Sequence, residues 1–368
     1  MRQPDAPAFF QCSTAWRKQM NPAHQRELSQ PGPLLDAHGN LTQIGWARQP
    51  ILDANLENVR FYPAVLRPLQ RFRVKCWDYY GITTPTHFFS ATLAHLGYAG
   101  QAFVYIIDFE RRTCHEQTLT IPFGRGIHLA PRSTEGESFF DNGQVKLRFQ
   151  AQPDSRHLFV EWPAFAGLRL NADITLQMLE GHESTVIVIP IGRKRFYYNR
   201  KVNCMPAAGR IQWGETRLDL DPQHCLGNLD WGRGVWEYRS FWVWASASGF
   251  LPDGRTLGLN LGFGFGDTSA ATENTLLLQG RIHKLGQVDF EYDSRNFMRP
   301  WRMTSPDGRL SLEFTPFMER VARTNLLLIA SEVHQMFGHY EGQVVTDEGE
   351  TVPVRGLIGW VEEHHARW

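Results

Sequence analysis

Alternation of apolar and polar residues with a period of two dominates this chain from about residue 70 onward. Arg71 to Tyr79, Thr86 to Leu96, Ala102 to Phe109, Leu158 to Trp162, Leu168 to Leu179 and Ser184 to Ile189 carry β-branched and aromatic side chains between turn signals. That is the mark of strands with unlike faces. The second half continues in the same style with Arg195 to Met205, Glu237 to Ser248, Thr256 to Phe265, Asn274 to Ile282, Val288 to Tyr292, Leu310 to Phe314, Asn325 to Val345 and Thr351 to Glu362. Pro-Asp-Gly marks hairpin turns at Pro252-Asp253-Gly254 and Pro306-Asp307-Gly308, and no segment predicts an amphipathic helix of three turns. Residues 1–45 lack periodicity and read as an extended lead-in, with Phe9, Phe10 and Trp16 packing onto the body. The pattern predicts an all-β chain.

Two stretches read as distant copies: Lys75-Cys76-Trp77-Asp78-Tyr79 with the strands after it, and Phe241-Trp242-Val243-Trp244 with the Gly-rich strand after it. They imply two similar β-domains meeting near residue 195. In the second copy, alternation puts Tyr238, Ser240, Trp242, Trp244 and Ser246 on one face and Phe241, Val243 and Ala245 on the other. Leu257, Leu259, Leu261, Phe263 and Phe265 oppose Gly258, Asn260, Gly262, Gly264 and Gly266. With even register the hairpin lays Trp242 and Trp244 over Gly264 and Gly262. A glycine face offers nothing to pack, so either these rings or a bound ligand must fill it.

Five of the twelve tryptophans, Trp213, Trp231, Trp236, Trp242 and Trp244, fall close to Gly227-Asn228-Leu229-Asp230-Trp231-Gly232-Arg233-Gly234. This run looks too Gly-rich for regular structure and too apolar for a solvent loop. Buried beside Trp231 and Trp236, Asp230 would shift towards the neutral acid that donates a proton; paired with Arg233, it would instead hold a turn. Glu273 is a second carboxylate or a turn cap, and His283, Lys284, Glu332 and His334 are weaker candidates. The tail Glu362-Glu363-His364-His365 reads as a solvated end.

Lys plus Arg and Asp plus Glu are equal at 38 each, so no net field recruits nucleic acid or an anionic membrane. The N-terminus lacks a secretory pattern and no apolar run approaches the ~20 residues of a membrane span; a cytoplasmic protein without an integral membrane span is expected. Five scattered cysteines, Cys12, Cys76, Cys114, Cys204 and Cys225, suit reduced thiols rather than a disulfide frame or zinc site. Phosphate-loop, nucleophile-elbow and H-E-x-x-H motifs are absent, and Gly262-x-Gly264-x-Gly266 lies along a strand, so no metal and no cofactor is expected.

Further motifs carry a resemblance. The run Tyr198-Asn199-x-Lys201-Val202-Asn203-x-Met205-Pro206-Ala207-x-Gly209, then Leu229 to Trp236, Leu259-Asn260-Leu261-Gly262-x-Gly264, Glu273-Asn274 and His334-Gln335-x-Phe337-Gly338-x-Tyr340-x-Gly342 resemble a largely bacterial domain-of-unknown-function family, number 2804. Pro33-Leu34-Leu35 and Gly45-Trp46-Ala47-Arg48 are similar to it too. More distantly the chain resembles carotenoid 1,2-hydratase (hydroxyneurosporene synthase) and its AttH-like relatives. That resemblance implies two tandem lipocalin-like (calycin-like) antiparallel β-barrels, residues 46–195 and 196–368, after the lead-in of residues 1–45. It also implies an acid among aromatics in the second half.

The resulting expectation is an apolar, isoprenoid- or lipid-like small molecule in a cavity mainly of the second barrel. Asp230 would protonate an alkene, and Trp231, Trp236, Trp242, Trp244, Asn260, Tyr238, Arg233 and Glu273 would bind substrate. A lipid or pigment carrier using the same pocket stands beside this enzyme reading. A third reading is carbohydrate chemistry with Asp230 and Glu273 as a carboxylate pair.

Overall fold

The computed structural model describes residues 25–326 and 329–367. Phe9, Phe10, Cys12 and Trp16, expected in the lead-in, lie outside these residues. Most of the described chain is strand, and apart from the short parallel pair Gly32–Pro33 and Leu52–Asp53 the strands form two curled antiparallel sheets. From edge to edge the larger runs through Thr113–Pro122, Ala99–Asp108, His87–His95, Val74–Thr83, Leu226–Val235, Phe196–Trp213, Leu168–Gln177, Ser155–Phe165, Lys146–Gln152, Gly136–Asp141 and Ile127–His128. The smaller runs through Arg281–Lys284, Thr275–Leu278, Thr256–Phe263, Arg239–Phe250, Thr351–Arg367, Ile329–Val345, Leu310–Leu326, Trp301–Thr304 and Asp289–Glu291. No helix among the described residues is long and apolar enough to cross a membrane.

Each sheet curls around its own apolar core. Tyr80, Ile82, Phe89, Leu93, Val104, Leu229 and Trp231 belong to the first; Val243, Ala245, Leu257, Leu259, Leu261 and Val361 belong to the second. The chain passes from the larger sheet to the smaller between Val235 and Arg239 rather than near residue 195. Its long strand Phe196–Trp213 explains the difference. One end pairs with Leu226–Val235 and the other with Leu168–Gln177, with a bulge between Val202 and Met205 where Cys204 takes a φ of 58°. A bulge bends a strand without ending it, so these residues stay in the larger sheet. At the bulge Asn203 Nδ2 donates to Ser246 Oγ (3.0 Å) and Ala247 O (3.1 Å), fastening the two sheets together.

Leu226–Val235, expected as an irregular loop, is a central strand with every residue buried. Its glycines serve close packing. A Cβ on Gly232 would meet the Trp77 ring at 2.6 Å, and one on Gly227 would meet the Leu176 side chain at the same distance. Alternation also separates Asp230 from Arg233, three residues apart and therefore on opposite faces.

Candidate functional site

The outer faces of the two sheets meet, and between them lies a cavity of about 590 Å³. Six strands of the larger sheet turn one set of alternate residues to its core and the other set to this cavity: Trp77 and Tyr79, Thr92 and Ala94, Phe103 and Tyr105, Glu116 and Thr118, Tyr197 and Lys201, and Asp230. The smaller sheet answers with Trp242 and Trp244, Arg320, Gln335, Glu362 and His364, joined by Glu273 from the segment that leads into Thr275–Leu278. The cavity therefore lies outside both cores and not within the second barrel. Aliphatic Val243, Ala245 and Leu259 fill that interior, leaving the Trp and Gly faces to look outward.

The hairpin has the even register expected of it, with Trp244 opposite Gly262 and Ser246 opposite Asn260. It ends at Phe263, because Gly264 and Gly266 adopt φ of 93° and 73° and turn the chain away. Trp242 consequently packs on His364 (4.0 Å between centroids) and Phe265 (5.4 Å) instead of lying over Gly264.

Three charges meet at one end of the cavity. Lys201 Nζ sits 3.3 Å from Asp230 Oδ2, 3.4 Å from Glu273 Oε2 and 3.8 Å from the centre of the Trp244 ring. Burial opposes the charge on Lys201, but Asp230 and Glu273 outweigh it and raise its pKa. Asn199 Nδ2 donates to Asp230 Oδ1 (2.6 Å), so both oxygens of Asp230 already face a donor. Burial, reinforced by the negative charges of Asp230 and Glu273, pushes the Tyr197 phenol well above its ordinary value.

On the neighbouring strand, opposite Trp244, Glu362 receives Trp242 Nε1 at 3.1 Å and Gln335 Nε2 at 3.3 Å. Only 8% exposed, its carboxyl is pushed up to about 7 by burial. Its neighbour His364 is held down to about 3 by burial, with His365 and Arg320 adding like charge. Arg320 grips Glu116 through two hydrogen bonds of 2.9 and 2.8 Å and lies 4.2 Å from the centre of the Tyr105 ring. Tyr105 in turn pairs with the Tyr79 hydroxyl at 2.8 Å and donates to Gln335 at 3.1 Å.

Of the residues singled out in the sequence, Asp230, Trp242, Trp244 and Glu273 line the cavity. Asn260 stands behind it, accepting from Trp244 Nε1 (2.7 Å) and donating to the Glu273 carbonyl (2.8 Å). Trp236 is buried against Trp77 (4.4 Å), a cavity wall. Trp231 points into the first core beneath Arg233, and Arg233 pairs with Asp78 at 2.9 Å rather than with Asp230. Tyr238 is 42% exposed. Asp230 and Glu273, the carboxylate pair of the carbohydrate reading, share the ammonium of Lys201.

Glu362 and His364 correct the reading of the tail as a solvated end: Thr351–Arg367 is a strand inside the smaller sheet. Trp360, Glu362 and His364 recur with a period of two, and that is the signal that would have found them. Among the described residues no group of three or more His, Cys, Asp or Glu side chains is placed to hold a metal ion, and the four described cysteines are free thiols.

A family model described as a domain of unknown function, DUF2804, matches residues 25–368. The chain belongs to the DUF2804 family. No curated protein matches the sequence significantly. Among solved structures, this DUF2804 chain is similar to CghA, with a TM-score of 0.50 at 13% identity over 80% of this chain and 88% of that one. A putative AttH from Nitrosomonas europaea gives 0.48 at 15% identity, covering 79% and 92%. Kievitone hydratase from Nectria haematococca gives 0.43 at 10%, covering 80% and 88%. The likeness to CghA is one of fold.

Proposed function

We propose that the cavity binds an apolar, unsaturated small molecule and that Glu362 starts a hydration or ring closure by protonating a double bond. The observation that carries this reading is a carboxyl held up to about 7 inside an aromatic cavity, since such a group is partly protonated near neutral pH and able to donate. Asp230, with its oxygens engaged by Lys201 and Asn199, is assigned to placing that charge cluster. In the step itself the π bond opens, a new C–H bond takes the Glu362 proton, and the neighbouring carbon becomes cationic. Faces of Trp77, Trp242 and Trp244 would stabilise that cation by ~2 kcal/mol or more each when dry. Water, or a second double bond of the same molecule, then closes the octet, and the released proton returns to the carboxylate.

The test is a screen of apolar alkenes for binding by native mass spectrometry, followed by turnover of each binder. Glu362→Gln should still bind and fail to convert. Conversion by that variant removes Glu362 from the donor role; a binder that wild type returns unchanged after long incubation makes the protein a carrier.

A further inference from the structure

We infer that the cavity selects its ligand by charge, taking neutral molecules and, better, molecules that bear a protonated amine, and rejecting carboxylates and phosphates. This inference rests on the reading of the cavity as the ligand site. Its first support is a count of the charges on the walls. Asp230, Glu273 and Glu116 face Lys201 and Arg320, which leaves an excess of one negative charge before Glu362 is considered. Arg323, at the exposed rim, is already paired with Glu332 at 2.9 Å.

The second support is how the walls treat the cations the protein itself places there. Lys201 lies 3.8 Å from the centre of the Trp244 ring and Arg320 4.2 Å from that of Tyr105. The negative π faces in the cavity are thus already oriented to hold positive charge. Further rings, Trp77, Tyr197, Trp242 and Phe265, line the same space. An anion entering there would meet carboxylates and ring faces at low dielectric, where like-charge repulsion is poorly screened. Apolar molecules that carry a diphosphate are excluded by this arrangement, and alcohols, ketones and amines on the same skeleton are admitted.

Three probes of matched shape test it: 2-naphthalenemethylamine, 2-naphthalenemethanol and 2-naphthoate, titrated into the whole protein at pH 7 with tryptophan quenching as readout. The amine should bind at least about tenfold more tightly than the alcohol, and naphthoate should bind more weakly than either. In the isosteric variant Glu273→Gln, which removes one wall carboxylate, the ratio of amine to alcohol affinity should shrink several-fold, whatever happens to either affinity alone. Naphthoate binding as tightly as the amine, or equal binding of all three, overturns charge selection and leaves the cavity as a binding site. Failure of all three to bind overturns both. Glu362→Gln should keep the same order of affinities, which separates selection from proton donation.

Discussion

Replacing Glu362 by Gln should change how stability depends on pH. In the unfolded chain a glutamate titrates at 4.5, whereas burial pushes the folded group up to about 7. Between these values the folded state keeps a proton that the unfolded state has released, so stability falls as pH rises. Below 4.5 both states hold the proton and the contribution is fully present; above 7 it is gone. Each tenfold in proton affinity is worth about 1.4 kcal/mol, so the loss across this window is roughly 3 kcal/mol. Gln is neutral, similar in shape, and its carbonyl can still accept the Trp242 N–H. The variant should therefore lack this loss and be relatively more stable on the alkaline side. For 368 residues, with unfolding entropy of about 2.1 cal/mol/K per residue, the shift in midpoint is about 4 °C. Thermal unfolding of both proteins at half-unit steps from pH 4.5 to 8 measures it, and other titrating groups cancel in the difference. A difference curve that stays flat would refute the protonated Glu362 and the donor role built on it.

Three further outcomes follow from the same contacts. Gly232→Ala puts a methyl group 2.6 Å from the Trp77 ring and should cost about 1–3 kcal/mol by urea unfolding, partly relieved by Trp77→Phe. Arg233→Met strands Asp78 in the first core and should cost about 3–5 kcal/mol; a double-mutant cycle should show coupling to Asp78 and none to Asp230. The His364 ring, held down to about 3, should keep neutral-form chemical shifts down to about pH 4. Its depressed value means that stability is lost as pH falls below the 6.5 of the unfolded chain, and protonation seen near 6 by NMR would contradict the burial described.

The strands and the all-β class were legible because period-two patterning reports faces directly. Register was legible too where large residues oppose small ones, as Trp244 opposes Gly262. What patterning does not say is which face is inward. Trp242 and Trp244 are more bulky and more apolar than Val243 and Ala245, yet they look out from the second core, because a second sheet covers them there. Glycine misled the reading of Leu226–Val235: Gly227 and Gly232 usually signal turns, but here they make room for Leu176 and Trp77 from neighbouring strands. Nothing local marks Lys201 and Arg320 as candidates, because their partners Asp230, Glu273 and Glu116 lie far from them in sequence. The place of Glu362 near the end of the sequence suggests solvent, although a terminal strand paired on both sides is as enclosed as any middle one.

Because the strands of the larger sheet that border the cavity keep their packing residues on one side and their cavity-facing residues on the other, the two sets can change independently. Substituting Thr92, Phe103 or Thr118 reshapes the hollow while Leu93, Val104 and Leu119, on the same three strands, go on holding the scaffold. A lineage built on this plan can remodel the space between its sheets without re-solving its own folding problem.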